Sequence, residues 1–200
     1  KFRANLCIGG VLFAAVVVGG TLAPWLAHTD PVMDANLMNA EVPPGSEFWF
    51  GTDAQGRDIY SRVLYGTRVS LIVGLFTAVL SLAFGIVLGL MSGYLRWLDG
   101  VLMRVMDGIM AIPSILIAIA LVAMWRGSIV TVVVAIAIPE IPRVTRLVRS
   151  LVLSIREEPY VEAAISLGTP TWKIMLRHIL PNTVAPLIVQ GTFICASGIL

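Results

Sequence analysis

The run from Val69 to Met91 is apolar throughout and contains no charged side chain. An α-helix needs about 20 predominantly apolar residues to cross the hydrocarbon core of a bilayer, so this run predicts a membrane-spanning helix. The whole chain agrees, because 58% of its residues are hydrophobic and 13% are charged, whereas soluble domains carry about 25% charged residues. The sequence therefore predicts an all-α polytopic protein of the lipid bilayer.

Five apolar runs of spanning length divide the chain. The first is longer than the apolar core of a signal peptide, which has about 7 to 15 residues, and is read as a retained span. Pro113 in the third run and Pro139 and Pro142 in the fourth predict kinked or broken helices. The fifth is still apolar at Leu200, so we expect a single transmembrane domain over 1–200 whose C-terminal end is missing. The predicted spans lie near 6–27, 69–91, 105–125, 128–148 and 182–200.

Basic residues predict the orientation of these spans. With Lys1 and Arg3 in the cytoplasm, the segment 28–68 becomes an extracytoplasmic loop, in which acids outnumber arginines. The segment 149–181 and the arginines just before it then lie inside, as the positive-inside rule requires. Arg126, in a short turn, is the only outer arginine away from the large loop.

Small residues recur at every fourth position of the second span and predict a helix contact. Helices in lipid associate through close approach at such positions, because no hydrophobic force drives them together there. A pore-lining role is the alternative, but packing is the better interpretation. The residues are Ser81, Gly85, Gly89 and Gly93.

Several kinds of chemistry are not predicted. The two lysines, Lys1 and Lys173, do not follow a glycine-rich loop, so no phosphate-binding loop is expected. His28 and His178 fall on opposite sides of the membrane, which excludes a shared metal or catalytic site. The net charge of +2 gives no field that would recruit nucleic acid. The remote Cys7 and Cys195 are read as small buried hydrophobic residues.

The stretch GTDAQGRD superficially resembles a calcium loop, but Gln55, Ala54 and Arg57 break the ligand pattern. A turn is the better interpretation, followed by a short helix with Asp58 as its N-cap and Arg62 one turn later. The residues of this extracytoplasmic motif are Gly51, Thr52, Asp53, Gly56, Arg57 and Asp58.

Asp107 and Glu140 are acids at or near membrane depth, where ionisable groups are expensive and are often functional. Both lie close to predicted cytoplasmic ends and near Arg104 and Arg143. Interfacial ion pairs are therefore the preferred interpretation.

The polar segment between the last two apolar runs predicts two short amphipathic helices. Pro159 suits a first helical position, and Gly168 suits a left-handed C-cap. Thr169 and Pro170 then repeat the start signal, and Pro181 begins the next element. The expected apolar faces are Val161, Ala164, Ile165 and Gly168 on the first helix, and Trp172, Met175, Leu176 and Ile179 on the second. Helices this short need a surface to pack against.

The segment also resembles the EAA loop of permease subunits of binding-protein-dependent ABC importers. The resemblance is carried by Glu162, Ala163, Ala164, Gly168, Trp172, Leu180 and Pro181. One departure is His178, where the family usually has isoleucine. Three further stretches, Phe50–Leu71, Gly93–Asp107 and Ala111–Ala123, are similar to the dipeptide, oligopeptide and nickel permeases.

This resemblance implies a type I ABC importer transmembrane fold and a non-catalytic pore subunit in the bacterial inner membrane. It also implies a second homologous permease subunit, two cytoplasmic ATPase subunits gripped through the EAA loops, and an extracytoplasmic solute-binding protein. ATP and Mg would be bound by the ATPases, and this chain would hold no cofactor. The alternative is a secondary transporter or channel without ATPases, in which Asp107 and Glu140 carry protons or ions.

Overall fold

The computed structural model describes residues 2–27, 35–125 and 127–199, with side chains from Cys7 onward. Residues 28–34 of the predicted outer loop, including His28, lie outside this part, as does Arg126. Eight α-helices are described in it: α1 (Phe2–Leu26), α2 (Ile59–Tyr94), α3 (Arg96–Ala111), α4 (Ser114–Met124), α5 (Ile129–Ile155), α6 (Pro159–Ser166), α7 (Thr171–Ile174) and α8 (Leu180–Ile199). Two compact units divide the chain, Lys1–Ile72 and Val73–Leu200.

In the first unit, α1 packs closely on the beginning of α2. A Cβ added to Gly20 would lie 2.8 Å from a side-chain methyl of Leu71 and 3.4 Å from the backbone of Arg68. The segment between the helices holds a short 3₁₀ turn, Leu37–Asn39. Cys7 is exposed, so the prediction that it is buried is wrong: it lies on a side of α1 that no described part of this unit covers.

The second unit is built around one apolar cluster that extends along α5. Val144, Val148 and Val152 are fully buried in it. Residues from α2, α6, α7 and α8 complete the cluster, so five helices share one core.

The third predicted span is bent sharply. Helices α3 and α4 meet at an angle of 84° around Ile112 and Pro113. The ring of Pro113 fixes φ, and its ψ of 130° is extended, so the chain leaves the helix before entering α4. The predicted break at Pro113 is therefore confirmed.

The predicted break in the fourth span is wrong. Helix α5 runs without interruption from Ile129 to Ile155 through Pro139 and Pro142. Buried prolines are tolerated in such helices because neighbouring groups satisfy the freed carbonyls. Pro139 and Pro142 free the carbonyls of Ala135 and Ile138. Ser81 Oγ donates to the carbonyl of Ala137 at 3.4 Å, which adds a hydrogen bond from α2 to this part of α5.

By length and composition, three described helices could cross a membrane: Cys7–Leu26, Ile59–Tyr94 and the continuous Thr171–Ile199. The bent pair α3 and α4 passes the same test when taken together, either as a fourth, broken span or as a re-entrant loop. The predicted fourth span, now α5, is not among them, because it carries Glu140 and three arginines.

Candidate functional site

Helix α6 begins and ends as its prolines and glycines predict. Pro159 occupies the first turn, where its missing N–H costs no hydrogen bond. At the other end, the N–H of Gly168 donates to Ile165 at 2.9 Å and the N–H of Thr169 to Ala164 at 3.1 Å. These two bonds form a Schellman motif, which requires a left-handed residue, and Gly168 has a φ of +74°.

One face of the segment from α6 to the π turn packs into the apolar core of the second unit. Val161, Ala164, Ile174 and Ile179 are all buried in the cluster that holds Val152 and Leu187 of the long helices. The loop is therefore packed into the same core as α5 and α8, and close-packed side chains of this kind resist compression.

The outer face carries exposed apolar side chains. Leu167 is 85% exposed and Trp172 is 65% exposed. Ile165, Trp172 and Leu176 belong to the predicted apolar faces and are exposed, so each predicted face has a buried and an exposed part. Sequence reasoning missed Leu167 and the buried Ile174.

Glu162 and Ala163 are exposed beside this surface, as are Gly168 and Pro181, whereas Ala164 is buried and Leu180 is half-buried. No ion pair to Glu162 occurs within the described residues. Its carboxylate is therefore available to a basic group of another protein. We call the exposed set Glu162, Ile165, Leu167, Trp172 and Leu176 the outer coupling face.

The second short helix differs from prediction at both ends. Pro170 is the N-cap, with a ψ of 143°, and α7 begins at Thr171. The segment then continues into α8 without a break, so the expectation that Pro181 begins a new element is wrong. A π turn at Met175–Ile179 precedes Pro181. In this wider hydrogen-bond pattern, the N–H of Leu180 donates to the carbonyl of Met175. The pattern accommodates Pro181, which lacks an N–H.

A polar link fastens α6 to the start of α8. Asn182 Nδ2 donates to Tyr160 Oη at 3.1 Å and to the carbonyl of His178 at 2.7 Å. The rings of Tyr160 and His178 are 6.4 Å apart between centroids. His178, the departure from the family pattern, thus lies half-buried beside Tyr160.

The small residues predicted to form a helix contact all lie against α5. A Cβ added to Gly89 would lie 2.5 Å from Cβ of Val148, and one added to Gly93 would lie 2.6 Å from Cβ of Val152. Gly85 faces Val144 in the same way. Ser81 is buried and bonds to α5, as described above. This face brings α2 close to the helix that leads into α6.

Charged pairs fasten α3 to α5. Arg149 makes two hydrogen bonds to Asp99, and Ser92 Oγ donates to Asp99 Oδ1 at 2.5 Å. Asp107 pairs with Arg146, and not with Arg104 as predicted. Both acids of α3 are therefore held by arginines of α5.

Glu140 is buried and pairs with Arg143 through Oε1 at 2.5 Å, which confirms the predicted ion pair. Its Oε2 has no partner among the described residues. The side chain lines an open cavity of about 300 Å³ together with Ser114, Ile136 and Ser197.

The motif predicted to be extracytoplasmic forms a closed turn ahead of α2. Thr52 Oγ1 donates to the carbonyl of Asn39 at 2.5 Å and accepts from the N–H of Val42 at 2.8 Å. Gly51 and Gly56 both have positive φ, and any Cβ there would overlap neighbouring carbonyls. Asp58 caps the helix by accepting from the N–H groups of Tyr60 and Ser61, as predicted.

Two details of that motif differ from prediction. The helix that Asp58 caps is the long α2, and Arg62 pairs with Asp53. Backbone hydrogen bonds lower the pKa of Asp53, chiefly the bond from Arg57 N–H, with help from Gln55 N–H and from the charge of Arg62. Arg57 itself is half-buried within the turn.

The long apolar helices and the helical loop between α5 and α8 are typical of a multi-pass membrane protein. Residues 81–199 match the family described as the inner membrane component of binding-protein-dependent transport systems, and the chain belongs to that family. The matched range contains the helix-packing face, α5 and the whole loop from α6 to α8.

Curated relatives agree with this assignment. The chain is 47% identical to a probable peptide ABC transporter permease protein of Sinorhizobium fredii, over 96% of this chain and 65% of the relative. It is 42% identical to a dipeptide transport system permease protein of Alkalihalophilus pseudofirmus, over 96% of this chain and 64% of that protein. A glutathione transport system permease protein of Pectobacterium atrosepticum is 38% identical, over 94% and 63%. The chain thus spans slightly less than two thirds of these relatives.

Proposed function

We propose that this chain is part of the transmembrane pore of an ATP-driven importer for peptides or a related small solute. The two-sided build of α6 and α7 carries the proposal. One side is packed into the core of the long helices, and the other exposes apolar residues next to a free carboxylate. The printed names of the relatives, which are peptide, dipeptide and glutathione transporters, support the class of cargo.

The outer coupling face would dock on a cytoplasmic ATPase subunit. Exposed apolar side chains such as Leu167 and Trp172 are suited to a groove, because burying each removes a large apolar area from water. Glu162 would pair with a basic residue at the edge of that groove. Two such ATPase subunits would bind ATP and Mg, and this chain would contribute no catalytic group.

A second homologous permease subunit and an extracytoplasmic solute-binding protein would complete the complex. The segment 28–68 would be the part that meets the binding protein or caps the pore. Cysteine labelling tests this topology: Ser46→Cys should react with an impermeant thiol reagent from outside intact cells, and Ser166→Cys should react after permeabilisation. Labelling of Ser46→Cys from the cytoplasmic side would overturn the topology.

Charge reversal at the loop tests the coupling. In the full-length complex reconstituted in vesicles, Glu162→Lys should leave the permease assembled in the membrane but reduce cargo uptake per ATP hydrolysed. Glu157→Lys, the same change at an exposed position before α6, should have little effect. Coupled uptake at the unmodified level in Glu162→Lys would show that the loop does not transmit force.

The alternative, a secondary transporter without ATPases, is favoured by one observation. Glu140 is a buried carboxylate with one unpartnered oxygen beside a cavity, and such acids can carry protons or ions. In that case Glu140→Gln would abolish uptake driven by an ion gradient, and uptake would not require ATP. ATP-dependent uptake without an imposed gradient would exclude this alternative.

A further inference from the structure

Helix α3 exposes a narrow apolar stripe that begins before the predicted third span and reaches its first residue. Trp97 is 76% exposed, Val101 63% and Val105 51%. These residues follow one another at intervals of four and therefore lie on one face of the helix. Gly100 and Gly108 lie beside them and add no side chain to this face.

The charges of α3 are segregated around this stripe. Asp99 and Asp107 are both bound by arginines of α5, as described above. Arg96 and Arg104 are exposed and pair with no acid among the described residues. They lie one position before Trp97 and Val105, so they flank the apolar stripe. The free face of α3 is therefore apolar, carries a tryptophan and has two positive charges.

The bend between α3 and α4 sets the direction of this face. The two helices meet at 84°. If α4, whose residues are all apolar except Ser114, enters the bilayer along its normal, α3 must run nearly parallel to the membrane plane. An amphipathic helix in that position places its apolar face in the boundary between headgroups and acyl chains.

We propose that α3 is an interfacial helix that binds anionic phospholipid of the cytoplasmic leaflet. Trp97, Val101 and Val105 would insert at the level of the upper acyl chains, where tryptophan is favoured. Arg96 and Arg104 would reach the phosphates of the headgroups, since arginine matches phosphate geometry with paired N–H donors. The negative surface potential of that leaflet should raise the affinity of α3 for the membrane roughly fivefold for each arginine.

This surface also has a consequence for the transport cycle. Because α3 is joined to α5 by Asp99 and Arg149, lipid binding at α3 would limit how far a displacement of α6 shifts α5 along the bilayer normal. An ATP-driven pore and a secondary transporter would both present α3 to lipid, so the test below does not depend on the transport mechanism.

Depth measurement tests the insertion. In the full-length complex, Cys7 and Cys195 are replaced by alanine and a nitroxide is attached at Val101→Cys. Ile119→Cys on α4 serves as the acyl-chain reference, and Ser46→Cys as the aqueous one. In vesicles that contain phosphatidylglycerol, the label at position 101 should collide with oxygen much more often than with a water-soluble nickel chelate. A label open to the chelate, or shielded from both reagents as in a protein contact, would overturn the proposal.

Lipid retention tests the charges. Native mass spectrometry of the detergent-extracted complex should show phosphatidylglycerol retained in preference to phosphatidylcholine. The double variant Arg96→Gln with Arg104→Gln should reduce that preference by roughly 25-fold, the product of two fivefold factors. The matched variant Arg96→Lys with Arg104→Lys keeps both charges and should retain most of it. An unchanged preference in the glutamine variant would overturn the assignment of these arginines.

Discussion

Arg149 donates two parallel hydrogen bonds to Asp99, from Nε to Oδ1 at 2.5 Å and from Nη2 to Oδ2 at 2.6 Å. Paired bonds between a guanidinium and a carboxylate are among the stronger polar contacts, because both groups are charged and their geometries match. This pair joins α3 to α5, and both side chains are partly shielded from water.

We expect Asp99→Asn and Arg149→Lys each to destabilise the permease by about 1 to 2 kcal/mol, because each leaves a charged partner poorly satisfied. The double variant should lose little more than either single variant, since the shared interaction is already gone. Thermal unfolding of the purified protein in detergent measures all three. Fully additive losses would show that the two residues act independently.

Two glycines of α2 should respond in opposite ways to alanine. At Gly89, a Cβ would approach Val148 to 2.5 Å, so Gly89→Ala should destabilise the protein by about 1 to 3 kcal/mol through overpacking. At Gly66 nothing lies within 4 Å of the added Cβ, so Gly66→Ala should be neutral or stabilising, as alanine favours a helix. Equal thermal stability of the two variants would contradict the close contact between α2 and α5.

The turn at Gly168 should depend on backbone conformation alone. No atom lies within 4 Å of an added Cβ there, but φ is +74°. Gly168→Val should therefore strain the turn by at least about 1 kcal/mol, loosen α6 and α7, and reduce ATPase association in pull-downs of the complex. Gly168→Asn should retain most of the association, because asparagine tolerates the left-handed region. If both variants behaved alike, backbone strain would not be the cause.

The turn at residues 51–58, ahead of α2, should loosen in acid. Backbone hydrogen bonds from Arg57 and Gln55 keep the folded pKa of Asp53 below its usual value. Ionised Asp53 therefore stabilises the turn fully above the unfolded pKa, and this contribution is lost as pH falls through the lowered folded pKa. A nitroxide at Ser46→Cys should become more mobile over that acidic range.

Two variants control this measurement. Asp53→Asn removes the titrating group and should give a turn that is already mobile at neutral pH and changes little in acid. Glu47→Gln, an exposed acid of the same loop, should keep the acidic transition. A transition that persists in Asp53→Asn would assign it to another group.

The local signals in the sequence were reliable where one residue decides the backbone. Gly168 and Asp58 mark helix ends because each supplies a conformation or an acceptor that few residues can, and Pro113 marks a bend because its ring restricts φ. The face of small residues on α2 was readable for the same reason, since its spacing alone places Gly85, Gly89 and Gly93 together.

Features that depend on tertiary contacts could not be read in this way. Helix α5 stays continuous through Pro139 and Pro142 within its packed surroundings. Helical periodicity placed Trp172 and Ile179 on one apolar face, but the π turn shifts the register between them, so that Ile174 and Ile179 are buried and Trp172 is exposed. The partner of Asp107 was also beyond prediction, because Arg146 is 39 residues away in sequence.

The helix from Thr171 to Ile199 is continuous, so it connects the loop directly to the core of the long helices. Its 29 residues make a rod about 43 Å long at 1.5 Å per residue. The exposed Trp172 is at one end of this rod, and the buried Ile194 is near the other. If Trp172 docks on an ATPase as proposed, a push there would tilt this helix and would reach Ile194 among the long helices. The π turn at Met175–Ile179 lies between Trp172 and Pro181. Tightening this turn to an ordinary α-turn would rotate the end that carries Trp172, while Pro181 and the residues after it keep their place.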